Sequence, residues 1–301
     1  MKPHTFRFDY KLALTDTITK MVKEALAEDL NTLEHGTDIT AALIPEQQNI
    51  KASLICREEG ILCGKDWFNE VFKQLDSTIS IKWNVDDGDE LTANMEICQL
   101  EGSARAILTG ERAAMNFLQT LSGTATVTTK YAAKLIGTDC RLLDTRKTIP
   151  GFRLAQKYAV TCGGGHNHRI GLFDAFLIKE NHILACGGID KAVRQANESH
   201  PEHPVEVEVE SIDELTLALD AGADVVMLDN FTNDEKVQAV RINADRAVLE
   251  ASGDITLDNL AEVAKTGVDY ISVGAITKHI RALDLSLRVK SDDICHMKVF
   301  N

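Results

Sequence analysis

The chain has 301 residues, 44% of them hydrophobic and 26% charged, with a formal net charge of −14. Such a composition belongs to a globular protein with enough chain to bury a sizeable core, in one large domain or two unequal ones. The negative charge speaks against nonspecific binding to nucleic acid or anionic membrane, and no apolar run approaches a membrane span. Residues 1–20 lack the continuous apolar core of a signal peptide, so a cytoplasmic protein is expected. The seven cysteines are scattered, form no C-x-x-C pair, and often sit in apolar runs. They read as reduced thiols serving as small buried hydrophobes.

In chain order, residues 16–28 have helical periodicity, with Ile18, Met21, Val22, Ala25 and Leu26 on or near one stripe. Residues 50–63 read as two short strands around the turn at Glu59-Gly60, and 66–75 as a helix. Strand-like runs follow at 78–85 and 96–100, separated by the turn-forming Asp86-Asp87-Gly88-Asp89, and a helical pattern resumes over 109–121. Beyond Cys140 the rhythm changes. Short apolar runs at 141–144, 175–178, 205–209, 224–228, 247–250 and 270–273 alternate with helical segments at 189–197, 212–221, 233–242 and 257–265. This is the signature of repeated βα units. Ala221-Gly222 and Thr266-Gly267 fit left-handed helix ends.

Six such units suit an open, incomplete α/β barrel of TIM type, because a complete eightfold barrel takes ~250 residues. An open parallel sheet is the alternative. Gly163-Gly164-Gly165 has the wrong spacing for a dinucleotide-binding turn and follows a helix-like stretch.

Barrel chemistry sits at the C-terminal ends of strands, and here those ends are polar. In order they carry Asp144-Thr145-Arg146-Lys147, Lys179-Glu180-Asn181-His182, the acids Glu206, Glu208 and Glu210, then Asp229-Asn230, Glu250 with Ser252-Gly253, and Gly274. One charged strand end reads as a solvated loop; six in succession converge on one pocket. Between Arg141 and His182 seven basic residues stand against three acids, a local +4 inside a chain of −14. Arg146 and Arg169 can grip carboxylates with two parallel hydrogen bonds, whereas Lys147 and Lys179 offer compact charges. Glu208 and Asp229 can hold ribose hydroxyls or a magnesium-bound diphosphate, or stabilise positive charge on a sugar ring. Ser252-Gly253 and Gly274 occupy the phosphate-binding corner of a barrel. The residues alone predict a small polyanionic ligand with at least one phosphate and one or more carboxylates.

Several stretches in this order resemble the quinolinate phosphoribosyltransferase family. They are Thr109-Gly110-Glu111-Arg112, Gln119-Thr120-Leu121-Ser122-Gly123, Asp144-Thr145-Arg146-Lys147-Thr148 and Gly163-Gly164-Gly165-His166-Asn167-His168-Arg169. Leu177-Ile178-Lys179-Glu180-Asn181-His182, Glu206-Val207-Glu208-Val209-Glu210, Met227-Leu228-Asp229-Asn230 and Ser272-Val273-Gly274 complete the set. The resemblance runs from about Ala25 to Arg288.

It implies an N-terminal α/β sandwich over 1–122, joined by a tail at 280–301, and an open barrel over 123–279. It also implies a transferase of NAD biosynthesis that acts on quinolinate and phosphoribosyl pyrophosphate. Arg146, Lys147, His168, Arg169 and Lys179, with Thr145, match the family's quinolinate and diphosphate contacts. Glu208 and Asp229 match its acids near ribose and Mg2+. Ser252, Gly253, Ser272, Val273 and Gly274 match its 5′-phosphate binders. Lys147, Lys179, Glu208 and Asp229 are the expected catalytic set. Arg112 matches an arginine lent to the neighbouring subunit of a homodimer.

Three other readings use the same residues. Lys179 at a strand end permits Schiff-base chemistry, although its charged surroundings point to anion binding. His166 and His168 form an H-x-H pair that can bind zinc, but no third ligand has obvious spacing. A noncatalytic module is disfavoured by the polar strand ends. Within the family's fold, a site for a ring with a single carboxylate stays open.

Overall fold

The computed structural model describes residues 11–31 and 38–290; Cys295 and the tail beyond residue 290 lie outside the described residues. The elements are α1 (Lys11–Leu30), a 3-10 turn at Ala41–Leu43, β1 (Asn49–Cys56), β2 (Gly60–Ile61), α2 (Lys65–Leu75), β3 (Ser80–Trp83), β4 (Glu90–Leu91), β5 (Glu96–Ser103) and α3 (Ala104–Ala133). They continue with β6 (Arg141–Leu143), α4 (Arg153–Cys162), β7 (Phe176–Ile178), α5 (Glu180–Cys186), α6 (Ile189–Ser199), β8 (Val205–Val209) and α7 (Ile212–Ala221). The last are β9 (Val225–Asp229), α8 (Asn233–Asn243), β10 (Val248–Ser252), α9 (Leu260–Ala264), β11 (Tyr270–Ser272), α10 (Ala275–Lys278) and β12 (Leu285–Val289). Two compact units divide the chain. Among the described residues, one runs through Thr126 and takes back the segment from Ile280; the other is Val127 to His279. The expected break at 122/123 therefore falls within α3, which continues unbroken through both.

In the first unit β12, β1, β5 and β3 form an antiparallel sheet in that order. Both strands read at 50–63 are present, and they are not each other's partners. β1 pairs with β5 and β12, while β2 pairs with β4. An apolar run announces a strand but not its partner, and β12 comes from far along the chain. The sheet is covered by an aromatic core: Trp67, Phe68 and Phe72 on α2 are buried. Phe68 meets Phe72 and Trp83 edge-on, at ring separations of 5.1 and 5.3 Å. α3 is longer than its 109–121 pattern because small polar residues carry it onward. Ser122 and Thr124 are fully buried. A side chain at Gly123 would come within 2.2 Å of the Arg281 carbonyl, so only glycine admits that close backbone approach.

The second unit is a six-stranded parallel sheet in the order β6-β11-β10-β9-β8-β7. Read cyclically this is sequence order with one missing pairing, between β6 and β7. It is the open barrel expected from the sequence, with β6 and β7 as free edges.

Strand alternation sorts its residues. Val205, Val207 and Val209 of β8, Val226 and Leu228 of β9, and Leu249 and Ala251 of β10 join one large core with Ile189, Val193, Leu215 and Leu260 of the helices. The opposite face begins with a small apolar plug of Leu143, Ala175, Val225, Val248 and Tyr270. The cross-strand register then places Glu206 beside Val225, Glu208 beside Met227, Met227 beside Glu250, and Asp229 beside Ser252 on that same face. Inner positions thus grade from apolar to acidic toward the strand ends. α7 starts at Ser211, whose hydroxyl accepts from Glu214 N–H, and ends at Gly222, whose φ is 84°.

Cys56, Cys98 and Cys140 are buried, and burial pushes the Cys140 thiol up to about 12, as befits a core residue. No helix among the described residues is long and apolar enough to cross a membrane.

Candidate active site

A cavity of about 320 Å³ opens at the strand ends of the second unit. Thr145, Arg146 and Lys147 follow β6; His168 and Arg169 follow α4; Leu177 and Lys179 come from β7 and its end. Glu208 lies on β8, Met227 on β9, Ser252 on β10 and Ser272 on β11. Nine of the sequence-predicted residues therefore share one cavity.

Asp229, Gly253, Val273 and Gly274 are not among the lining residues but each adjoins one in sequence, in the sheet or in space. Asn230 Nδ2 donates to Asp229 Oδ2 at 3.0 Å, and Asn230 N–H to the Ser252 carbonyl at 3.1 Å. Gly253 has φ 90°, and a Cβ there would fall 2.0 Å from Asn230 Oδ1. The Ser252-Gly253 turn therefore packs directly on the Asp229-Asn230 turn, and no other residue fits. Val273 N–H donates to the Leu143 carbonyl, and a side chain on Gly274 would meet Lys147 Cδ at 2.9 Å. Arg112 belongs to the first unit, exposed on α3.

The cations are held open to the cavity. Arg169 donates through Nη1 to the Ala175 carbonyl at 3.1 Å and is only 8% exposed. Its Nε, like that of Arg146, is buried without a hydrogen-bond partner among the described residues. Burial first, and the neighbouring Arg146 charge second, hold the Arg169 pKa below its usual value. Two guanidinium groups kept side by side, each with an unused donor, are costly unless an anion joins them. Lys179 pairs with Glu208. Its backbone N–H donates to His182 Nδ1 at 3.1 Å at the start of α5, which aims the lysine from the strand end.

Sequence reasoning missed the cavity floor. His168, Glu206 and Glu250 are buried together, their ligand-type atoms all within 4.8 Å of one another. His168 Nδ1 accepts from Arg169 N–H at 2.8 Å, so the ring proton lies on Nε2. That nitrogen is 3.0 Å from Glu206 Oε2 and 3.5 Å from Glu250 Oε2. Burial keeps the ring neutral. Burial also pushes Glu206 and Glu250 up to about 8, their mutual repulsion adding to the effect at Glu250. Buried so close together, the two carboxyls hold on to protons that exposed glutamates lose. His166, the other member of the H-x-H pair, is not in it. The overlooked signal was the period of two: Glu206 shares a face with Glu208, and Glu250 with Ser252.

This floor has a signed pH dependence. Unfolded, Glu250 loses its proton above about 4.5, whereas folded it keeps it to about 8. Its contribution to stability is thus complete below the lower value and is lost as pH rises through the upper one. Urea midpoints measured at pH 5 and pH 8 are expected to fall more for the natural chain than for Glu250→Gln. Parallel curves would contradict the proton retained by Glu250.

Family models match almost all of the described chain: the quinolinate phosphoribosyl transferase N-terminal domain over residues 38–122 and its C-terminal domain over 124–288. The nicotinate-nucleotide pyrophosphorylase [carboxylating] of Mycobacterium leprae is 40% identical over 280 residues, covering 90% of this chain and 97% of that protein. The probable enzyme of that name from Bacillus subtilis is 39% identical over 274 residues, covering 90% and 93%. The solved nicotinate-nucleotide pyrophosphorylase of Francisella tularensis is 52% identical, with a TM-score of 0.89 over 96% of this chain and all of that one. The inward-facing cations, the open parallel barrel and these matches along both units lead to one conclusion: the chain belongs to the quinolinate phosphoribosyltransferase family.

Proposed function

We propose that this chain transfers the phosphoribosyl group of phosphoribosyl pyrophosphate to the ring nitrogen of quinolinate, giving nicotinate mononucleotide, carbon dioxide and diphosphate. The observation that carries this reading is the pair of neighbouring arginines with unused buried donors. A pyridine-2,3-dicarboxylate offers the two adjacent anions that Arg146 and Arg169 need. His168, a neutral donor turned toward the floor, adds no charge to the cavity. Lys147, beside the Gly274 turn, and Lys179 serve the diphosphate. Ser252, Gly253 and the Ser272–Gly274 turn serve the 5′-phosphate.

Glu208 and Asp229 serve the ribose as its C1–O bond loosens and positive charge develops. Their carboxylates stabilise that charge, and the cations hold the leaving group in line. The pyridinium formed then accepts the electron pair left by the departing 2-carboxylate.

The acids also fit Mg2+ in a limited way. Glu208 and Asp229 are not part of any three-ligand group among the described residues. They suit an ion that arrives on the diphosphate and keeps most of its other ligands. Bound there, Mg2+ neutralises charge on the leaving diphosphate. The reading is of a cytoplasmic homodimer in which exposed Arg112 completes the neighbouring subunit's cavity.

The direct test supplies quinolinate, phosphoribosyl pyrophosphate and Mg2+ and follows nicotinate mononucleotide and carbon dioxide, with nicotinate in parallel. Product from quinolinate alone is expected; product from nicotinate alone, or none, overturns the reading. For the shared site, Arg112→Ala and Arg146→Ala are each expected to be nearly inactive. Mixed and allowed to exchange subunits, they should recover up to about a quarter of natural activity, since half the dimers then hold one intact site. No recovery despite proven exchange would place Arg112 outside the neighbouring site.

A further inference from the structure

A second buried charge cluster lies behind the cavity and lines none of it. Asp144, at the end of β6, and Lys157, in the middle of α4, are both fully buried and paired with each other. Asp144 Oδ1 also accepts from His168 N–H at 3.0 Å, and its Oδ2 from Asn167 Nδ2 at 2.6 Å. Lys157 Nζ donates to the His168 carbonyl at 3.0 Å, while Asn167 Nδ2 reaches the Lys157 carbonyl at 2.8 Å. Both backbone groups of His168 are thus held by one ion pair.

The position of this cluster gives it a purpose. The barrel sheet lacks a pairing between β6 and β7. Residues 165–169 run beside the free edge of β6, through His166 N–H to the Leu142 carbonyl at 2.8 Å and Asp144 N–H to the His166 carbonyl at 3.1 Å. The segment then reaches toward the other edge, where Arg169 holds the Ala175 carbonyl at 3.1 Å. With a sheet partner on one side only, a two-bond ladder is weak support for residues that must be placed to within a fraction of an ångström.

We propose that the Asp144–Lys157 pair is a latch that fastens the segment carrying His168 and Arg169 across the open side of the barrel, and thereby sets how well the cavity holds its dicarboxylate. Both are positioning residues. The consequence for binding rests on the quinolinate reading; the fastening does not. A buried pair is a poor source of stability, because desolvation offsets its attraction. It does impose geometry: besides each other, Asp144 binds His168 N–H and Asn167 Nδ2, and Lys157 binds the His168 carbonyl. The two lysines assigned to the diphosphate, Lys147 and Lys179, come from other segments and should be left in place when the latch opens.

The test uses the full chain with the double replacement Asp144→Asn/Lys157→Met, which removes both charges together, and with the milder Asn167→Ala, which loosens the segment should the double variant fail to fold. Two readouts are taken. Amide hydrogen exchange over residues 165–169 is expected to quicken at least tenfold, while β8, β9 and β10 keep their protection. The KM for quinolinate is expected to rise about tenfold or more, with the KM for phosphoribosyl pyrophosphate changed less than twofold. Asn167→Ala should show the same pattern at smaller amplitude. Unchanged exchange over 165–169 in a folded variant overturns the latch, and so does an equal rise in both KM values. If the natural chain turns over neither substrate, the quinolinate reading fails while the exchange result still decides the latch.

Discussion

A strand can show only two faces, and in this barrel one of them is already taken. The helices require an apolar outer surface from every strand, and Val205, Val207 and Val209 meet that demand together with Leu228, Leu249 and Ala251. All chemistry is thereby confined to the alternate positions, which face inward. Near the strand starts the inward positions are filled by the apolar plug around Val225, Val248 and Tyr270. Beside and beyond them come Glu206, Glu208 and Glu250, and at the rim Asp229, Ser252 and Ser272. The cavity is what this alternation leaves at the end of a barrel too small to be hollow. Its charged character follows from having no other face on which to place charge.

Confinement has an energetic consequence. Charges on an inward face are buried, and buried charge is tolerated only when neutralised or fully bonded. The structure uses three solutions. Glu206 and Glu250, beside His168, hold on to protons that exposed glutamates lose. Asp144 and Lys157 pair and hold both backbone groups of His168. Arg146 and Arg169 each keep a buried Nε without a partner among the described residues, and both border the cavity. Where the protein completes its own electrostatics the groups are structural; where it leaves them incomplete, a ligand is called for.

The inner face also explains how much of the molecule was legible in its sequence. The six barrel strands were visible as short apolar runs, and their ends as polar clusters, because both follow from burial pattern alone. Val205–Val209 matches residue for residue. β10 extends past its predicted end to Ser252 because Ala251 and Ser252, small and unremarkable in sequence, still pair with Leu228 and Asp229. α5 escaped notice since seven residues give too little periodicity. In the first unit β1, β2, β3 and β5 were legible while β4 and β12 were not, and no pairing could be read, since pairing depends on distant segments such as β12. Within the site, the rim cations were legible as strand-end charges, and they do share one cavity. The floor was not, because Glu206 and Glu250 look like any solvent-facing acids until strand alternation is applied and turns them inward. Asp144 and Lys157 were counted only as charges; that they neutralise each other is a tertiary fact.

The central claim is that two adjacent arginines, left incomplete by the fold, read two adjacent carboxylates. Calorimetric titration of the full chain with quinolinate and with nicotinate tests it without relying on turnover. Loss of one carboxylate removes charge-assisted hydrogen bonds worth ~1.5–3 kcal/mol, so quinolinate should bind between about 10- and 100-fold more tightly. That preference should vanish in Arg146→Ala. Equal affinity for the two rings in the natural chain, or a preference that survives the loss of Arg146, would contradict the account.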